Sequence, residues 1–284
     1  MFRALVLAVV AALLLAPPVA AKRVILPHTP LQKVVRAELV VVGKVTAIEK
    51  DTVNVLPVPG APEKVAHQVA VIKVESGLVG AENVTHVKVG FIPPAPDEPP
   101  ARPGRGGFGS ITPTAGMEGV FYLNKHHSGS FFAIDFMFTP SLTGDVTYKD
   151  EVALAKRAAA VLSDPTKALK AEKPADRYFA AAVLVLKYRT PAGESETVKV
   201  SVEESQRVLK ALSEGDWKPD PNDANAVNGY QVFAQLGLTE KDGWKYPAVK
   251  PGEDIFVKTR EAFAAWLAGP GKDHQISKFV PKKK

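Results

Sequence analysis

The sequence predicts an α+β protein in two domains. Residues 22–146 are expected to form a five-stranded Greek-key β-barrel, and residues 147–280 an all-α helical domain. Three observations carry this. Five runs rich in β-branched and aromatic residues alternate with a period of two before residue 140. From Tyr148 the apolar period changes to about 3.6. One long Pro/Gly-rich loop, 93–116, separates the third run from the fourth, and five strands with a single break of this kind suffice for such a barrel.

The first 21 residues stand apart. Arg3 precedes an unbroken apolar run, 4–15, then Pro17 and Pro18, then the small residues Val19-Ala20-Ala21. This is the pattern of a secretory signal cut after Ala21. The run is too short for a membrane span, which needs about 20 apolar residues. The expected location is therefore outside the cytoplasm: periplasm, cell envelope or medium. With no cysteine in 284 residues, thiol nucleophiles, cysteine-ligated zinc and iron–sulfur clusters are excluded. A chain of this length buries enough surface to fold without disulfides.

Taken in order, 31–37 reads as a short helical turn before the first strand, 36–48. In that strand Leu39, Val41, Gly43 and Val45 alternate with Val40, Val42, Lys44 and Thr46. It is apolar on both faces at first and half-polar from Lys44, so one end is expected in the interior and the other in water. Prolines and Gly60 make 54–62 a turn-rich connection. The second strand is predicted over 67–74, a turn over 75–82, and the third strand over 84–92. After the loop, 119–125 is the fourth strand and 126–130 a tight hairpin. The fifth strand is expected over 131–138, with Phe132, Ile134, Phe136 and Phe138 on one face and Asp135 on the other.

In the second half, 151–162 is an alanine-rich amphipathic helix, and Asp164-Pro165 caps a short one. Residues 174–188 are apolar nearly all round, which marks a buried helix and the hub of this domain. Ser201 and Glu204 form a capping box for a helix to about Ser213. Asp220-Pro221 is expected to open a helix that closes at Gly237. Glu253 and Asp254 suit the positive end of a last helix, stopped by Gly269-Pro270. The basic tail 281–284 reads as disordered and able to touch anionic envelope polymers weakly.

The succession LVVVGKV (39–45), AVIKVESGLVG (70–80), VKVGF (87–91) and GMEGVFYL (116–123) resembles the netrin/tissue-inhibitor-of-metalloprotease-like (NTR) branch of OB folds, as found in exported bacterial proteins. The resemblance covers about residues 30–140 and implies an OB-like barrel. The family's metalloprotease inhibitors work through an N-terminal cysteine, which this chain lacks, so that mechanism does not carry over.

Candidate sites are sparse. His126 and His127 fall at the hairpin tip and His67 opens the second strand. Adjacent histidines in a strand point to opposite faces, so only one of the pair could join His67, and solvated turn residues are the plainer reading. Asp135 is the lone acid of an apolar strand, a candidate catalytic carboxylate or simply a wet-face residue paired with a lysine. The stretch 102–109, RPGRGGFG, offers Arg102, Arg105 and Phe108 as a partner-docking loop, or reads plainly as a flexible one. DPNDAN, 220–225, lacks the glycine and closing glutamate of a calcium loop. No local catalytic, phosphate-loop or dinucleotide motif occurs.

The expectation is thus an exported, non-catalytic binding or scaffold protein, with no cofactor or metal, that contacts a protein or an anionic envelope polymer. A hydrolase using Asp135, His126 or His127 and an acid such as Asp176, sited between barrel and helices, is the alternative. A nucleic-acid or polyanion binder of OB type is the third, and export argues against it.

Overall fold

The computed structural model describes residues 28–94, 111–191, 193–218, 220 and 226–282; the predicted signal segment and Arg102, Arg105 and Phe108 lie outside them. The barrel begins with α1 (Pro30–Arg36), capped by Thr29 with Gln32 reaching back to complete a capping box. Strands β1 (Leu39–Ile48), β2 (Val53–Val55), β3 (Val65–Val79), β4 (His86–Phe91), β5 (Glu118–Lys125), β6 (Phe132–Ala133) and β7 (Ser141–Leu142) follow. β1 pairs antiparallel with both β3 and β5, and β4 pairs antiparallel with β3. The ring closes because β6 lies between β4 and β5, parallel to the first and antiparallel to the second. This is a closed five-stranded barrel of the OB-like kind; β2 and β7 are short additions to β3 and β5.

The two faces of β1 divide the molecule. Leu39, Val41 and Val45 point into the barrel with Ala70, Ile72, Val87, Val89, Phe121 and Leu123. Val40 and Val42 point outward, yet they are buried too. With Val120 and Tyr122 of β5 they join one continuous core containing α1 and the helical half. From Lys44 the outward side is exposed, as the sequence predicts.

Helices α2 (Tyr148–Ser163), α3 (Pro165–Leu169), α4 (Pro174–Tyr188), α5 (Val202–Ser213), α6 (Gly229–Leu236) and α7 (Ile255–Ala268) form the second half. In α4 every residue from Phe179 to Leu186 is buried, so this helix is the hub its all-round apolar sequence requires. Beside it an aromatic cluster stacks Trp217 on Phe233 at 5.0 Å and Phe263 on Trp266 at 5.7 Å. Trp217 Nε1 donates to Leu212 O at 3.0 Å, so that indole is buried without an orphaned donor.

Several elements differ from expectation for identifiable reasons. The fifth strand is two residues long, not eight: the Asp135 side chain accepts from Met137 N at 2.9 Å and caps a 3₁₀ turn, Phe136–Phe138. A short acidic side chain offers the backbone this alternative to pairing. Ile134 therefore enters the barrel core, while Phe138 joins the helical core. β3 runs through the predicted 75–82 turn to Val79. Its register slips against β1, and at Gly77 a Cβ would stand 2.6 Å from Ala81 O. Such irregularities absorb turn-like residues without ending a strand.

In the helical half, α6 opens at Gly229 under an Asn228 cap rather than at Asp220. Ser201 caps α5, but Glu204 bonds Tyr188 Oη instead of returning to its own N-cap. A two-stranded ribbon also appears, β8 (Ser195–Lys199) against β9 (Ser277–Pro281). It holds the basic end in place as far as Lys282, whose N–H donates to Glu194 O at 3.0 Å.

Candidate functional site

The β5–β6 hairpin folds back over the first connection, with Ser128 Oγ donating to Leu56 O at 3.4 Å. His126 meets His67 at 5.4 Å between ring centroids, while the exposed His127 lies at 4.5 Å from His126. Both histidines follow the last residue of the strand, Lys125, so alternation does not part them. Their rings lie side by side, and His126 is the one that meets His67, which is buried and not the solvated residue expected. His67 is only 5 % exposed, and its Nδ1–H donates to Val65 O at 2.9 Å. His126 Nδ1 accepts from Ser128 N at 3.3 Å, which leaves the neutral ring's proton on Nε2. That Nε2 is buried without a partner among the described residues. Burial first, then the neighbouring His127 and His67, holds His126 below its ordinary pKa, which favours the neutral form of that ring. Among the described residues no group of three or more His, Asp or Glu is arranged to hold a metal ion.

Phe131 closes this cluster from the side, 4.9 Å from His126, in a small satellite core with Val55 and Val69. At 3 % exposure it is a plug, and it is not offered to a base for stacking. The nearby strand lysines are partly committed: Lys88 pairs with Glu49 at 2.8 Å and Lys44 with Glu118 at 3.5 Å.

The acids proposed for a hydrolytic site are not brought together with these histidines. Asp135 is exposed and occupied as the 3₁₀ cap, without an ion pair among the described residues. Asp176 pairs with Arg157 at 2.7 Å on the helical surface. Of DPNDAN, only Asp220 is described.

A different constellation lies where barrel and helices meet. A cavity of about 310 Å³ is lined by His28, Arg36, Glu38, Asn124, Phe138 and the turn after α4 at Thr190, Pro191 and Gly193. Arg36 closes α1, and its Nη1 donates to His28 Nε2 at 3.3 Å. Among the described residues its Nε, sealed from solvent, has no acceptor, and no carboxylate lies within ion-pair distance. Burial lowers the guanidinium's pKa, with no acid opposing it. His28 is pushed down to about 4, chiefly by burial and then by Arg36. Its neutral ring can therefore accept from the guanidinium throughout the physiological range.

This has a pH consequence. The unfolded chain takes up a proton at His28 below its ordinary 6.5, whereas the folded chain does so only near 4. Its stabilising contribution is complete above 6.5 and is lost as pH falls from 6.5 to about 4. Solvent screening of a half-exposed ring reduces the full linkage to about 1–2 kcal/mol. Urea unfolding at pH 7 and pH 4.5 should show His28→Gln losing less stability on acidification than the unaltered chain by about that amount. Equal losses would show that the ring titrates normally.

Comparison with family models, with curated proteins and with solved structures gives no match. The class of molecule therefore rests on the architecture itself: an OB-like barrel joined to a helical bundle through one core.

Proposed function

We propose that this chain is an exported, non-catalytic binding protein whose OB-like barrel contacts a protein or an envelope polymer, with the helical half as its scaffold. The observation that carries this is the unequal cover of the barrel. At β1 and β5 the outward Val40, Val42, Val120 and Tyr122 are locked beneath helices. At β3 and β4 the outward Lys73, His86 and Lys88 are exposed, and Val71 is half-buried among them. OB barrels use the face of their second and third strands, with the flanking loops, to hold ligands. Here those strands are β3 and β4, and the histidine-bearing hairpin borders them. The signal-like first residues and the NTR-like strand succession support the address and the class.

The test uses the whole mature chain, since both halves share a core. Chain 22–284 is offered to the envelope fraction of the producing cell, beside Lys73→Glu/Lys88→Glu and a helical-surface control, Lys149→Glu. The expected result is retention of a partner by the unaltered chain and the control, and about tenfold weaker retention, or 1.4 kcal/mol, by the double reversal. Retention of nothing, or equal retention by all three, would remove the proposal. Deleting 95–115 from the same chain asks whether Arg102, Arg105 and Phe108 contribute.

A further inference from the structure

We propose that the cavity between barrel and helices is a binding site for a small organic monocarboxylate, held by Arg36 and enclosed by His28, Asn124, Phe138 and Thr190. None of these residues belongs to the β3–β4 face, so this site is additional to the contact surface proposed above.

Arg36 is a cation without a counter-charge among the described residues. It is half-buried, and its hydrogen bond to His28 brings no charge because that ring is neutral. Partly buried guanidinium groups ordinarily meet a carboxylate, because removing a charge from water is costly without a partner. Elsewhere in this chain half-buried guanidinium groups are satisfied by a carboxylate or by backbone carbonyls: Arg189 donates to Gln235 O at 2.8 Å and Arg260 to Gly215 O at 3.1 Å. Arg177 meets Glu214 at 2.7 Å, whereas Arg36 has neither kind of acceptor among the described residues. Arg36 instead lines an open volume of about 310 Å³. That is the low end of the range for small-molecule sites, about 300–1,000 Å³.

The remaining walls select the ligand's class. Phe138 and Pro191 are apolar, and the Phe138 ring meets His28 edge-on at 5.1 Å, so the body of the ligand faces flat, apolar surfaces. Asn124 Oδ1 is used by Glu38 N at 3.1 Å, which fixes the amide while its NH₂ remains a donor type suited to a second carboxylate oxygen. Glu38 itself lines the cavity and adds a negative charge. Arg36 is the one cation among the described lining residues, Glu38 opposes it, and Asp135 and Lys33 act on His28 from outside the lining. A single anionic charge is therefore the most the guanidinium can balance, and a phosphate dianion is disfavoured further. A planar carboxylate also matches the fork of a guanidinium.

The experiment compares matched acids and amides, benzoate with benzamide and phenylacetate with phenylacetamide, on chain 22–284 by amide NMR titration. Expected are shifts centred on Arg36, Asn124, Thr190 and Gly193, with each acid binding at least about tenfold more tightly than its amide. Arg36→Gln should bring the acid down to the amide's level. Should that variant not fold, the acid–amide comparison on the unaltered chain decides alone. Equal binding of acid and amide, shifts mapping elsewhere, or no response at millimolar acid would overturn the assignment. Inorganic phosphate binding as tightly as benzoate would overturn it equally, since the site would then read charge alone.

Discussion

Lys33→Met is expected to destabilise the protein by about 3–4 kcal/mol, and Lys33→Met/Glu151→Leu to restore most of that loss. Lys33 lies in α1 and Glu151 in the first turn of α2, with Nζ and Oε2 3.4 Å apart and side chains 10 % and 12 % exposed. Nζ also donates to Thr139 O at 3.0 Å and sits 4.9 Å from the centroid of the Tyr122 ring. One ammonium thus ties the leading helix, the end of the barrel chain and the first helix of the bundle together. Burial lowers the Lys33 pKa, with the charge of Glu151 acting in the opposite direction. Removing the lysine leaves the carboxylate, 12 % exposed, without a counter-charge and with Thr147 Oγ1 at 3.0 Å as its remaining donor. Removing both leaves an apolar contact and one carbonyl short of a donor, worth about 1 kcal/mol. For a chain of this size the single replacement corresponds to a fall of about 10 °C in Tm. Urea unfolding of both single variants and the double variant closes the cycle, with a coupling of about 2–3 kcal/mol expected. Strict additivity would show that water screens the pair and that α1 is held by its apolar face alone.

The elements legible beforehand are those whose cause is local or periodic. The alternation of Leu39 to Thr46 placed one face in the barrel and showed where the other leaves cover. The apolar run of 174–188 announced α4, and Asp164 and Ser201 accept the amides three residues on, as caps do. What escaped depends on partners distant in sequence. No propensity reveals that 195–199 pairs with 277–281, or that a register slip carries β3 through Ser76 and Gly77. Asp135 has a local signal, since Asp competes for the amide two residues on, but the flanking phenylalanines argued for a strand more loudly. The cavity was invisible because Arg36, Asn124 and Thr190 meet only after the barrel closes and α4 docks. One sign was available. Arg36 has no acid three or four residues away on its own helix, so a partner had to come from elsewhere or be missing.

Gly90→Ala is expected to cost about 3 kcal/mol and to raise the pKa of His126 toward the ordinary histidine value. Gly90 lies on the outward side of β4, and a Cβ there would stand 2.0 Å from Phe131 Cε2 and 2.3 Å from Cδ2. On its other side the ring is nearly as close to Gly129, whose Cβ would stand 2.7 Å from Cε1. Two glycines therefore make the slot that lets Phe131 lie across the sheet, and the ring has no free side to turn toward. An added methyl at Gly90 must expel it. The loss approaches that of Phe131→Ala, about 3–4 kcal/mol for a buried ring. With Phe131→Ala already in place, Gly90→Ala should cost nothing or gain about 0.5 kcal/mol, because alanine suits a strand better than glycine. His126 supplies the second readout: burial is the main cause of its lowered pKa, and the Phe131 ring lies 4.9 Å from it. A histidine titration followed by NMR should move upward in Gly90→Ala and Phe131→Ala alike. If Gly90→Ala costs the same in both backgrounds, backbone strain in β4 is responsible and Phe131 is not the plug. If the ring does leave, the sheet surface nearest the hairpin is uncovered. In the capture experiment proposed above, retention by Gly90→Ala would then separate contact on the strands themselves from contact confined to the lysine-bearing end of β3 and β4.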